Sequence, residues 1–315
     1  MRARNGVALI AALWLVVAIA AVALEFSVEA HERRAVGLLA SERGIQRAAA
    51  LGALALVQAK LEYALRVAPS GANVQRLAAF DPWMDVDSLY SVPVMVDSME
   101  VDVQARDLGE RLNINQLTEN QLQTFFSFLL GDYAKSTQLA QSILDWRDPD
   151  SIPRPNGAER DAYIKAKMLA LPTNGPFREI EELSNVMGMT PEIYAKAAPY
   201  LTTRGSGAVN LNTAPVPVLR ALPGMTDATI NMILQQRSQG RRISSLAGFS
   251  GQSGRTLAGM MSGVQLQAAL VGRTVLQTTE VELTITSRVG PQAPPSRLRA
   301  ILRRSTPVAL EFKEW

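Results

Sequence analysis

From Val7 to Leu24 the chain is apolar without interruption, and Glu25 closes the run. As a helix rising ~1.5 Å per residue, this run spans ~27 Å, about one hydrocarbon core. The pattern then changes without stopping. From Phe26 to about Val67 there is no proline, alanine and leucine are dense, and charges return at helical spacing in Glu29, Arg33, Arg43, Arg47, Glu62 and Arg66. Leu38, Leu39, Ile45, Leu51, Leu54, Leu61 and Leu65 can share one face. The pattern predicts one long helix, membrane-buried in its first half and amphipathic in its second. Ala68-Pro69-Ser70-Gly71 ends it.

Beyond a polar connection dotted with Pro82, Trp83 and Tyr90, the period shortens to two. Val94, Val96, Met99, Val101 and Val103 alternate with Asp97, Glu100 and Asp102, which predicts one or two strands of a half-exposed sheet. Thr278 to Val289 alternates just as plainly. Arg297 to Phe312 supplies a further strand or hairpin with Pro307 at its bend. The middle, Asp107 to Gly272, reads as helical and contains an echo. RLNINQLTENQLQTFF from Arg111 and AVNLNTAPVPVLRAL from Ala208 share a hydrophobic-Asn-hydrophobic-Asn entry, a Thr-containing cap and an apolar helix. EIEELSNVMGMTPEIYAKAAPYLTT adds a helix stopped by Gly188, then Thr190 as the next cap with Pro191 at a first helical position. The fold class expected is α+β: a long N-terminal helix on an antiparallel sheet, with an all-helical unit inserted between strands.

Composition narrows the chemistry. The 315 residues carry no cysteine, so disulfides and thiolate metal sites are excluded. His31 is the only histidine, which excludes a histidine cluster. The formal charge is +3, and without Arg2 and Arg4 it falls to +1, so charge gives no global case for nucleic acid. Those two arginines precede Gly6 and the apolar run, which places the head in the cytoplasm and sends the bulk of the chain across the membrane. A cleavable secretory signal (with Ala18-Ile19-Ala20 as its site), a plain anchor, and a leader cut after Gly6 all remain open on these residues.

Two stretches carry candidate chemistry. In ILDWRDPDSIPRPNGAERDAYI, Asp145, Asp148, Asp150, Glu159 and Asp161 put five carboxylates in seventeen residues, on a proline-stiffened loop. Arg147, Arg154 and Arg160 can neutralise them as ordinary ion pairs. Alternatively, hard oxygen ligands of this kind suit Ca²⁺, with carbonyls near Ser151 to Pro153 completing the shell. VNLNTAPVPVLRALPGMTDATINMILQQRSQGRRISSL looks like a helix-hairpin-helix element. Arg220, Arg237, Arg241 and Arg242 make it locally basic, as phosphate binding would require. Its turn, Pro223-Gly224-Met225-Thr226, lacks the second glycine of such motifs. Ser250 and Ser253 have no histidine to activate them, and no catalytic constellation is visible.

A basic leader ending in Gly6, followed by an apolar helix that turns amphipathic, resembles the class III leader of type IV pilins and pseudopilins. That resemblance implies cleavage after Gly6 by a prepilin peptidase and methylation of the new N-terminus, Val7. The fifth mature residue of that family is usually a glutamate that pairs with a neighbour's terminal amine, and here it is Ala11. Lacking it is a feature of one minor pseudopilin, the K-type subunit of the type II (general) secretion pathway. LDW-x-D-x-D, then P-x-G-A-E and a nearby Asp and Tyr, resembles the calcium loop of that same family, with Arg160 where a further acidic residue often stands.

The resemblance spans essentially the whole chain. It implies a leader at 1–6, a transmembrane and amphipathic helix at 7–67, a pseudopilin sheet from 68–106 and 273–315, and an inserted helical domain of helix-hairpin-helix or SAM-like type at 107–272. It further implies structural calcium on Asp145, Asp148, Asp150, Glu159 and Asp161, and a non-enzymatic subunit at the tip of a short periplasmic filament. The implied partners are the I-type and J-type minor pseudopilins, the major pseudopilin, the prepilin peptidase and the inner-membrane secretion platform, with no nucleic acid. A membrane-anchored helix-hairpin-helix DNA-binding protein is the rival expectation, and a metal-dependent hydrolase a weaker one.

Overall fold

The computed structural model describes residues 3–66, 83, 86, 94–96, 99–246, 263–290 and 294–315. The expected helix stop at 68–71, Tyr90, and Ser250 and Ser253 in the glycine-rich stretch lie outside the described residues.

Helix α1 (Ala3–Arg66) is a single helix of 64 residues. In its apolar first half, Leu13, Trp14, Val16, Ile19 and Leu24 are all exposed. The helix is long and apolar enough to cross a membrane. Its second half buries Ala49, Ala50, Ala53, Leu54, Val57 and Leu61 against the sheet. The expected leucine face is met in part: Leu54 and Leu61 are in this contact and Leu65 packs beside it, while Leu38, Leu39, Ile45 and Leu51 stay exposed. The physical reason is proximity. Short side chains let the helix lie close to the strands, and a Cβ at Gly52 would stand 2.9 Å from Val96 Cγ1.

Strands β1 (Val94–Val96) and β2 (Met99–Asp107) form where the two-residue alternation is found. They join β7 (Glu280–Ser287), β8 (Ser296–Arg303) and β9 (Ala309–Glu314) in a five-stranded antiparallel sheet of order β1-β2-β7-β8-β9. Val101, Val103, Leu283, Ile285, Leu298 and Ala300 point at α1. Polar ties fix which end of the sheet lies where. Ser287 Oγ donates to Gln46 O at 2.9 Å, at the end of the packed stretch nearer the apolar first half of α1. At the other end Trp83 Nε1 donates to Leu61 O at 3.0 Å, and Thr278 N donates to Trp83 O at 3.2 Å. The Asp107–Val281 end of the sheet is therefore the pole farther from the apolar first half of α1.

The helical unit stands on that pole. It runs through β3 (Leu112–Asn113), α2 (Glu119–Leu130), α3 (Tyr133–Arg147), α4 (Arg160–Lys165), a 3₁₀ turn at Ile180–Asn185, α5 (Pro191–Ala197), β4 (Leu201–Thr202), β5 (Val209–Asn210), α6 (Val216–Arg220), α7 (Asp227–Ser238), α8 (Gly263–Leu270) and β6 (Thr274–Val275). Its core is separate from that of the sheet and centres on Ile114, Phe125, Phe126, Ile143, Trp146 and Tyr163. The echo read in the sequence is a structural one. Each entry strand pairs in parallel with a two-residue partner, β3 with β4 and β5 with β6. In each, the second asparagine is a backbone clamp. Asn115 accepts from Phe177 N and donates to Phe177 O and Thr203 O; Asn212 accepts from Ile243 N and donates to Ile243 O and Leu276 O. In each, a partly buried arginine from a later helix forks onto equivalent carbonyls, Arg147 onto Ile114 and Leu117, and Arg237 onto Leu211 and Ala214.

Buried polar groups join unit to sheet. The Asp107 carboxylate accepts from Gly109 N at 2.9 Å, Asn210 Nδ2 at 2.7 Å and Thr213 Oγ1 at 2.8 Å. Glu280 accepts from Ser206 N at 2.7 Å and pairs with Arg303 at 3.0 Å. Glu179 bridges Arg204 at 2.8 Å and Arg299 at 3.0 Å. Burial alone raises the Glu179 carboxyl, but hydrogen bonds from Arg299 and Arg204 outweigh it and hold the group below the usual carboxylate range. A carboxyl depressed in the folded state contributes stability that is present above its unfolded pKa and lost as pH falls through its folded one. Urea midpoints are thus expected to fall between about pH 5 and about pH 3, with a smaller fall in Glu179→Gln. An equal fall in the variant would assign the acid sensitivity elsewhere.

Candidate functional site

The site is the loop from the end of α3 to the start of α4. Helix α3 faces its core with Leu139, Ile143 and Trp146, and this phase drives Asp145, one residue before Trp146, fully out of solvent. Trp146 stacks on Phe177 with ring centroids 6.1 Å apart, and tilts against Tyr163 at 5.7 Å. The Tyr163 hydroxyl accepts from Met187 N at 2.7 Å, and burial pushes its phenol up to about 12. The carboxylates are thereby mounted on a rigid aromatic base.

Asp148 caps α3 in an extended conformation, and the chain leaves through Pro153 and Pro155. It folds back so tightly that a Cβ on Gly157 would overlap the Asp145 carboxylate. That contact requires glycine. Gln141 ties the returning strand to the helices, accepting from Asn156 N at 2.7 Å while donating to Glu119 Oε1 at 2.7 Å. Asn174 donates to Asp150 O, and Asp150 Oδ1 accepts from Ile152 N at 2.8 Å.

The five carboxylates do not share one environment. Asp148, Asp150 and Glu159 converge, each offering an oxygen within 4.8 Å of the others. Asp145 lies beside them but is fully engaged. It accepts from Arg154 N at 3.1 Å and from Arg154 Nη1 at 2.6 Å, while the same Nη1 reaches Asp148 Oδ2 at 2.5 Å. Asp161 is exposed in the first turn of α4, outside the group of three. Of the three arginines weighed as counter-ions, only Arg154 pairs with these acids among the described residues. Arg147 is turned to the Ile114 and Leu117 carbonyls, where burial and the neighbouring Arg154 lower it to about 10 against the pull of Asp148.

Neutralisation is incomplete. Glu159 is only 5% exposed, yet neither of its oxygens accepts a hydrogen bond of standard geometry, the Arg160 N–H being no more than a nearby donor, and Asp148 Oδ1 is also without a partner. Burial raises the Glu159 carboxyl, and the charges of Asp145 and Asp148 add to this, while the Arg160 N–H offsets part of it. Buried carboxylate oxygens without donors are costly unless a cation takes them. The donor set is all hard oxygen, which matches Ca²⁺ chemistry. Gln141 and Asn174 were not singled out in the sequence. A glutamine on the buried face of a helix was the available signal for the first.

Gly6, Val7 and Ala11 lie in the first turns of α1. In the helix-hairpin-helix stretch the basic side chains are already engaged. Arg237 forks onto backbone carbonyls, Arg220 pairs with Asp227 and lies 4.7 Å over the Phe128 ring, and Arg241 donates to Gln239. Gly224 takes φ +75°, as its turn demands.

Residues 110–206 and 209–271 match two protein-family profiles, both described as type II secretion system (T2SS), protein K. The type II secretion system protein K of Dickeya chrysanthemi is 30% identical over 80% of this chain and 82% of its own length. That of Pectobacterium carotovorum subsp. carotovorum is 30% identical over 45% of this chain and 50% of its own. Among solved structures, the crystal structure of the GspK-GspI-GspJ complex from enterotoxigenic Escherichia coli superposes with a TM-score of 0.58 at 19% identity. It covers 87% of this chain and 97% of the matched one, and at that identity it speaks for the fold.

Proposed function

Because the chain belongs to the type II secretion system protein K family and is a minor pseudopilin of that system, we propose that it caps the periplasmic pseudopilus. The observation that carries this reading is the position of the helical unit. It rises from the Asp107–Val281 pole, where any subunit farther from the membrane would have to sit. A subunit so crowned can be extended from below and not from above. Ala11, in place of the amine-pairing glutamate, agrees with having no subunit above it. In this reading a peptidase removes Met1 to Gly6 and Val7 is methylated. Helix α1 holds the chain in the inner membrane with its bulk in the periplasm. The I-type and J-type minor pseudopilins join it at the tip, the major pseudopilin extends the filament from the inner-membrane platform, and folded proteins are driven outward without catalysis by this subunit.

Structural calcium belongs to the same reading. Asp148, Asp150 and Glu159 would hold it, with Asp145 shaping the loop and Asp161 near its rim. The bare oxygens of Glu159 and Asp148 support the fit. Its contribution would be to staple a cysteine-free loop. Nothing in the comparisons supports the DNA-binding rival.

Copy number tests the cap. In sheared filaments of increasing length, quantitative mass spectrometry is expected to find one copy of this subunit per filament throughout. Copies rising in proportion to the major pseudopilin would sink the tip assignment.

A further inference from the structure

We infer that Arg154 is a built-in counter-ion that occupies the acidic loop in the ion-free chain and must release Asp148 for a divalent cation to bind; this rests on the calcium reading above. One nitrogen, Nη1, bridges Asp145 Oδ1 and Asp148 Oδ2 at 2.6 and 2.5 Å. It leaves bare Asp148 Oδ1 and both oxygens of Glu159, which belong to two of the three carboxylates that converge around Asp150. A cation placed on them would share the Asp148 carboxylate with a guanidinium, and like charges one carboxylate apart repel strongly in a partly buried site.

The arginine is built to leave without unravelling the loop. Its side chain is 32% exposed, so the guanidinium has a path to water. Its backbone N–H holds Asp145 independently at 3.1 Å, and Asn156 N stays on Gln141 at 2.7 Å. Asp145, enclosed and pressed against Gly157, keeps its place in either state. These ties hold the loop without the Arg154 side chain, and the affinity is lowered by the energy of displacing it. This assigns Arg154 a positioning role in the ion-free state and a competing one during binding.

The test is calcium titration by calorimetry of the full chain in detergent, wild type against Arg154→Gln and Arg154→Lys, with thermal melts in chelator. Arg154→Gln is expected to bind calcium about tenfold more tightly, equivalent to about 1.4 kcal/mol. It should melt lower in chelator, and the gap should close at saturating calcium. Arg154→Lys, which keeps the charge without the fork, is expected to fall between. Unchanged or weaker binding in a folded Arg154→Gln chain overturns the competition while leaving calcium in place. Binding by the variant and none by the wild type supports Arg154 as the ion's full replacement and removes calcium from the native chain. No response in either chain at millimolar calcium removes both.

Discussion

Replacing Asp107 by alanine is expected to lower the unfolding free energy of the distal helical unit by about 3 kcal/mol. The carboxylate is 3% exposed and is the acceptor for three donors from two segments: Gly109 N beside it, and Asn210 and Thr213 about a hundred residues on. Alanine leaves all three without their partner in a site too tight to admit water freely. A Cβ at Gly109 would already stand 2.8 Å from Asn210 Cβ and 2.9 Å from its backbone N. Gly109→Ala is therefore expected to act in the same direction. Asp107→Asn keeps one acceptor oxygen and should cost less. Hydrogen exchange would locate the loss, with faster exchange through β5 and α6 and little change where α1 meets the sheet. A urea-determined loss under about 1 kcal/mol in Asp107→Ala would mean that the sheet and unit are joined elsewhere.

The parts of this architecture legible in the sequence are those that repeat a period for long enough. The apolar run and the alternation of Val101, Val103, Leu283 and Ile285 persist over many residues, and the elements lie where they were expected. The sheet-facing side of α1 was legible only from Leu54 onward, because its second half carries apolar residues on two faces. Hydrophobicity favours the leucines, whereas packing distance selects Ala49, Ala50 and Ala53. The four strands inside the helical unit escaped notice for the opposite reason. At two residues each, they have no period to read, and they exist because Asn115 and Asn212 hold their flanking backbone. Likewise Ile180–Asn185 is a 3₁₀ turn rather than the helix expected, since it buries only Leu183 and has no apolar stripe to sustain a longer helix.

In the acidic loop, residue type was legible and convergence was not. Sequence spacing treats Asp145, Asp148, Asp150, Glu159 and Asp161 alike. The fold sorts them through the turn at Pro153 and Pro155 and the close approach at Gly157. Which arginine answers them was equally hidden. Arg147 is the immediate sequence neighbour of Asp148, far nearer along the chain than Arg154, but the helical phase of α3 carries its guanidinium to the Ile114 carbonyl instead.

Glu159→Gln is expected to change the sign of the loop's response to conditions. In chelator, the wild-type chain buries a carboxylate whose two oxygens accept no hydrogen bond of standard geometry, so its charge is a liability. The amide keeps the shape, removes the charge and brings two N–H groups toward the bare Asp148 Oδ1. The variant is expected to gain about 1 kcal/mol in chelator, a rise of roughly 2–4 °C in melting temperature. With calcium the order reverses. If the loop binds with a Kd of ~10⁻⁴ to 10⁻³ M, as extracellular calcium modules do, calcium at a hundred times Kd adds about 2.7 kcal/mol to the wild type. Glu159→Gln, having lost a charged ligand at the centre of the group of three, is expected to lose most of that gain. Asp161→Asn, at the exposed rim, should keep it. A variant less stable than wild type in chelator would mean that the Glu159 oxygens are satisfied without an ion. One that retains the whole calcium shift would place the ion on other oxygens. Crossing stability curves, with the variant ahead in chelator and the wild type ahead in calcium, require both that the buried charge is uncompensated in the ion-free chain and that the ion is what compensates it.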